Sequence, residues 1–255
     1  MTSTANTTGG QAGDGEALRE LTPSGVLRVG IVAAPAPSAL FAVVDDENYH
    51  GVTIDIGRAL AAELGVPLSL VNFPNSGACT DALEQGAIDV SFMPVDEERR
   101  RRVAFGPAYY ILESTYMVTA ASGITSLQEV DRPDVRVVGI ANTTTIRAAT
   151  RSLSHVVPEP VQSIAEGVER MRAETAEAFA LSRDAFQTLL PTLPGALVVG
   201  GGFQSTGIAI AVGREKPAAL SFVTTFLEEA KRSGLVRRAL DAAGFPDEPV
   251  APPDA

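Results

Sequence analysis

Residues 96–110 read DEERRRRVAFGPAYY, and the run Arg99 to Arg102 is the densest cationic chemistry in a chain whose formal net charge is −11. A guanidinium offers a planar fork that matches a carboxylate, and such charge-assisted bonds contribute about 1.5–3 kcal/mol when shielded from water. In a helical turn Arg99 and Arg102 lie near one face while Arg100 and Arg101 point elsewhere, so at most one or two can enter a cleft. The rest are expected to be solvated and paired with Asp96, Glu97 and Glu98. The second run with chemistry is NTTT, Asn142 to Thr145, between strand-like RVVGIA and a helix. Free N–H groups at that helix start, with the hydroxyls of Thr143, Thr144 and Thr145, can receive an anion. Asn142 or Thr143 would also cap the helix, and the two roles are compatible.

Other chemistries find little support. HExxH, CxxC, GxSxG and GxxxxGKS/T are missing, and Gly200 to Gly202 lack the spacing of a dinucleotide loop. His50 and His155 stand without a second metal ligand in regular spacing, so neither a metal nor a cofactor is expected. Only Lys216 and Lys231 supply amines, which disfavours Schiff-base chemistry. A pI near 4.7 argues against wrapping a nucleic acid. Cys79 is the only cysteine, so no internal disulfide can form and a buried, inert thiol is expected.

These residues need a scaffold. Hydrophobic residues make up 45% of the 255, enough for one large domain or two lobes with their own cores, and no apolar run reaches the roughly 18 residues of a membrane span. Residues 1–21 lack a basic n-region and an apolar h-region, so they are expected to form a disordered arm and not a signal peptide. Residues 247–255 are expected to be a flexible tail. From Leu27 the pattern becomes regular. LRVGIV reads as a strand, DIGRALAAELG as a helix with Ile56, Leu60 and Leu64 on one face, VPLSLVNF as a strand, TDALEQG as a short helix and AIDVSFM as a strand. The theme repeats with RVVGIA, NTTTIRAATRSL, SIAEGVERMR, AEAFAL and GALVVG, then the strand STGIAIAV and the helix PAALSFVTTFLEEAKRSG. Alternating strands and helices predict an α/β fold, and the repetition predicts two sheets.

The order of LRVGIV, GVTIDIGRALAAELGV, ALEQGAIDVSFM, EERRRRVAFGPAYY, RVVGIANTTT, ETAEAFALSRD and TFLEEAKRSGLVRRALDAAGF resembles the family 3 extracytoplasmic solute-binding proteins, the amino-acid receptors of ABC importers, from about Leu27 to Phe245. The resemblance implies a two-lobed periplasmic-binding-protein-like fold of type II, with two hinge strands near residues 114–118 and 206–210 and ligand in the cleft between lobes. Residues 22–115 plus 212–246 would form lobe 1, and 116–211 lobe 2. It implies that Arg99 clamps a ligand carboxylate and that Thr143, Thr144 and Thr145 meet the same group from lobe 2. Asn142 stands where the family has glycine, Asp96 where it has threonine, and Ser182 where amino-acid receptors often have the aspartate that holds an α-ammonium. Either Asp96 or Glu113 takes the ammonium, or the ligand is a carboxylate without one. Phe41, Phe73 and Tyr110 are the aromatic candidates for gripping the ligand body.

The implied function is a non-enzymatic, monomeric receptor for a small carboxylate-bearing solute, with an ABC permease as partner. An enzyme resembling cyclohexadienyl or arogenate dehydratase on the same fold is the alternative, with Glu113 or Asp96 as general acid. A cytoplasmic ligand-sensing domain is the third. The family points to a periplasmic or extracytoplasmic location, whereas a native start at Met1 would leave the chain in the cytoplasm.

Overall fold

The computed structural model describes residues 8–34, 38–45 and 48–253, with side chains described from Gly15 onward. In chain order the elements are α1 (Thr8–Leu21), β1 (Leu27–Val32), β2 (Val43–Asp45), β3 (Asn48–His50), α2 (Val52–Leu64), β4 (Leu68–Phe73) and α3 (Ser76–Glu84). There follow β5 (Val90–Pro94), α4 (Glu97–Arg100), β6 (Val103–Val118), α5 (Leu127–Val130), β7 (Val137–Ile140), α6 (Thr144–Ser152) and β8 (Glu159–Val161). The chain closes with α7 (Ile164–Arg172), β9 (Ala178–Ser182), α8 (Arg183–Leu189), β10 (Leu197–Val198), β11 (Gln204–Gly213), α9 (Pro217–Arg232) and α10 (Leu235–Ala242).

The expected helices form where apolar spacing and punctuation agree. In α2, Ile56 and Leu60 are fully buried, and Gly65 ends the helix in the left-handed region that a Cβ disfavours. Pro217 opens α9 at a position whose N–H has no intrahelical acceptor. Cys79 is buried, and burial pushes its thiol up to about 11, in keeping with an inert sulfur.

The two halves of the chain do not form separate α/β sheets. Apart from the small antiparallel pair β2-β3, the strands run in one hydrogen-bonded path, β4-β1-β5-β11-β6-β9-β7-β8, with β10 on β6. Within it, β1 is parallel to β4 and β5, and β7 is parallel to β8 and β9. The antiparallel strands β6 and β11 join these two parallel sets; β6 is 16 residues long, pairing with β11 over its first part and with β9 over its last. Its Pro107 is tolerated because the register with β11 shifts there, leaving no ladder bond for the missing N–H.

Two expectations at the chain ends are corrected. Residues 1–7 lie outside the described residues, but α1 is a helix whose Ala17 and Leu21 are buried, and Glu20 accepts from Ala219 N–H at 2.8 Å at the start of α9. Glycine-rich sequence hides this helix, which tertiary packing stabilises. The tail is also pinned as far as it is described: Ala251 N–H donates to Tyr109 O at 2.9 Å, and Val250 bridges Tyr110. Residues 254–255 lie outside the described residues.

Candidate functional site

A cavity of about 100 Å³ lies at the carboxyl ends of both parallel sets, where open α/β sheets bind ligands. Val32 ends β1, Pro94 ends β5, Ile140 ends β7, and Leu181 and Ser182 end β9; all reach its wall. Leu40 and Phe41 close it from the loop after β1.

The polar part of the wall is made of helix starts. Asn75 and Ser76 open α3, Thr143, Thr144 and Thr145 open α6, and Ser163 and Ile164 open α7. Each helix is capped by its own side chain: Asn75 Oδ1 accepts from Ala78 N–H at 2.9 Å, Thr143 Oγ1 from Ile146 N–H at 3.3 Å, and Ser163 Oγ from Glu166 N–H at 3.2 Å. Thr145 Oγ1 lies 3.3 Å from Ser114 Oγ. Thr144 and Ser182 are 1% and 3% exposed; the Thr144 hydroxyl lacks a hydrogen-bond partner, whereas the Ser182 hydroxyl stands beside the buried Asp184 carboxyl. Among the described residues, no charged side chain lines this cavity.

Arg99 stands one residue behind the wall. It is 2% exposed and donates through Nη1 to Pro94 O at 3.0 Å, and through Nη2 to Ser76 Oγ at 2.8 Å and Asn142 O at 3.4 Å. Burial lowers its guanidinium to about 10, so it is a cation at neutral pH. Asn142 holds φ 59°, in the left-handed region where asparagine is better tolerated than most residues. A Cβ on Gly77 would lie 2.5 Å from Asn142 Cβ, so the two sides of the cleft touch there.

Asp96 faces away from the cavity. It caps α4, accepting from Arg99 N–H at 2.8 Å, and forms an ion pair with Arg147 of α6; Arg147 also meets Glu98 at 3.0 Å. Burial alone would raise the Asp96 carboxyl, but the Arg147 pair and the Arg99 N–H outweigh it and hold the group below its ordinary value. The other arginines follow expectation in part. Arg100 pairs with Glu97, whereas Arg102 bonds Asp81 and Glu84 on α3.

The structure thus brings Phe41, Thr143, Thr144, Thr145 and Ser182 together, places Arg99 and Asn142 directly behind them, and puts the remaining candidates elsewhere. Glu113 pairs with Arg183, and its side chain is 44% exposed. Tyr110 donates its hydroxyl to Glu248 at 3.0 Å, and Phe73 packs beside Gly30 on β1. Sequence reasoning missed Asn75, Ser76 and Ser163 as wall residues. It also missed Asp184, whose buried Oδ2 accepts from Ala39 N–H at 2.8 Å. An Asn-Ser-Gly run after a strand was the available signal for the first two.

The fold and the cleft define an α/β periplasmic-binding-protein-like molecule of type II. It is similar to a mutant of ArgBP from T. maritima, with a TM-score of 0.79 and 23% identity over 89% of this chain and 99% of that one. It is similar also to an ancestral amino acid-binding protein described as a precursor of cyclohexadienyl dehydratase, with a TM-score of 0.77 and 26% identity over 88% and 98%. The family profile described as "Bacterial extracellular solute-binding proteins, family 3" matches residues 27–242, and the chain belongs to that family. A segment of 77 residues, 30% of the chain, is 36% identical to the virulence sensor protein BvgS of Bordetella bronchiseptica. The match spans only 6% of that sensor's length. Among the described residues, no helix is long and apolar enough to cross a membrane.

Proposed function

We propose that this protein is a receptor that closes around a small carboxylate-bearing solute, an amino acid or a related organic acid, and presents it to an ABC-type importer. The observation that carries this reading is the convergence of the α3, α6 and α7 starts on one cavity walled by both parallel sets. Each helix start favours an anion by about 0.3–1 kcal/mol, and more where water is excluded. In this reading Ser76 and Thr143 to Thr145 receive the carboxylate, Arg99 fixes the Ser76 hydroxyl and adds its charge from behind, and Phe41 covers the ligand body. Membership of the solute-binding family and the ancestral amino acid-binding relative support a receptor.

A dehydratase is the second reading, favoured by the description of that same relative. It needs a positioned general acid. Asp96 and Glu113 are instead engaged by Arg147 and Arg183, outside the cavity wall, which favours the receptor. The likeness to part of a sensor protein supports a variant in which a signalling partner reads the closed form. Thermal-shift and calorimetric titration with amino acids, organic acids and prephenate tests all of this. A ligand at one hundred times its Kd stabilises the fold by about 2.7 kcal/mol. Saturable binding of a carboxylate without turnover is the expected result, while consumption of prephenate would replace the receptor with the enzyme.

A further inference from the structure

We infer that the solute is a small carboxylic acid with an apolar body and no α-ammonium, such as a 2-oxo or 2-hydroxy acid. This rests on the receptor reading above and narrows its ligand.

An ammonium taken out of water needs a counter-charge, because an isolated buried ion costs many kcal/mol. The wall offers none among the described residues. Both acids positioned by sequence to supply one are committed elsewhere, Asp96 to Arg147 and Glu113 to Arg183. Helix starts add positive potential on three sides, which repels an ammonium as it attracts a carboxylate. Charge stands behind the wall in two places. Arg99 reaches it through Ser76 and is cationic. Asp184 lies behind Ser182, with Oδ2 held by Ala39 N–H; burial pushes its carboxyl up, which disfavours the charged form.

The wall hydroxyls point to the rest of the ligand. Thr144 Oγ1 is buried on the wall with no partner, so it can donate to a ligand oxygen, and the Ser182 hydroxyl beside Asp184 presents the second oxygen-binding group. A carboxylate alone uses the helix starts; a second oxygen on the α-carbon would satisfy the remaining hydroxyl. The apolar remainder would meet Val32, Leu40, Phe41, Ile140, Ile164 and Leu181. Size agrees, since a cavity of about 100 Å³ has room for several waters and so for a short aliphatic acid.

The test is calorimetric titration of the wild-type chain with matched sets on four skeletons: alanine, valine, leucine and phenylalanine, each against its 2-oxo and 2-hydroxy acid. On at least one skeleton an oxo or hydroxy acid is expected to bind tenfold or more tightly than the L-amino acid. Equal or tighter binding of the amino acids on every skeleton overturns the inference while leaving the receptor reading intact, and points to Asp184 as the ammonium partner. No binding by any carboxylate overturns both. The variant Ser182→Asp, checked for folding by circular dichroism, places an acid on the wall and is expected to shift the ratio at least tenfold towards the amino acid. An unchanged ratio in the folded variant counts against the inference, and the wild-type ratios decide it if the variant does not fold.

Discussion

Arg99 shows what a buried cation does when no acid touches it. Its fork is filled by neutral acceptors on both sides of the cleft, Pro94 and Ser76 on one and Asn142 on the other, so the residue ties the two sides together. Arg99→Ala is expected to cost about 2–4 kcal/mol in denaturant unfolding, because truncation leaves both a cavity and unsatisfied oxygens. Arg99→Lys keeps a cation but cannot reproduce the planar fork, and calorimetry should find a carboxylate bound at least roughly tenfold more weakly. The place of Thr143 to Thr145 on the cavity wall was legible because a strand followed by hydroxyls and a helix leaves few alternatives. The indirect position of Arg99 was not, since only the fold reveals that Ser76 comes between it and the cavity. Tyr110 was misjudged for the same reason: a strand-end aromatic has two faces to choose from, and the bond to Glu248 depends on a tail distant in sequence.

At the scale of elements, α4 and α6 meet across the cleft through Asp96, Glu98 and Arg147. The pair is partly shielded, with Asp96 and Arg147 side chains 13% and 24% exposed, so a double-mutant cycle with Asp96→Asn and Arg147→Ala should give a coupling of about 1–3 kcal/mol. The Asp96 carboxyl titrates below its ordinary value in the folded form. Its contribution is therefore complete above about pH 4 and is lost as the pH falls through the depressed folded value. Small-angle scattering should record an opening of the wild type in that acid range, and Arg147→Ala should remove this component. Gly77→Ala tests closure sterically. The added Cβ would meet Asn142, so the variant is expected to fold normally, remain more open, and bind its ligand roughly tenfold more weakly. Sequence periodicity reached most elements from Leu27 onward, yet it began α3 too late, because Ser76 to Cys79 carry no apolar stripe to announce a helix.

The whole molecule departs most from its sequence pattern at its ends and its centre. Leu21 is fully buried where a loose arm was expected, and Leu21→Ala should cost about 2–5 kcal/mol in urea unfolding, against nearly nothing for a disordered segment. Repetition along the chain announced two sheets, whereas the two parallel sets are hydrogen-bonded into one through long-range pairing that local patterns do not encode. The register shifts between β6 and β11, at Ile208/Ala209 and Ala209/Ala211, have a mechanical consequence. They lie where β11 also pairs with β5, so they belong to the first parallel set, and rotation of one set against the other falls on the stretch beyond them, residues 111–114 opposite 204–207. Hydrogen–deuterium exchange should then find residues 111–114 and 204–207 equally protected with and without ligand, while the amides of residues 142–146 slow on binding. If the receptor closes as proposed, this two-stranded stretch acts as a torsion bar, and its stiffness sets how much binding energy closure consumes.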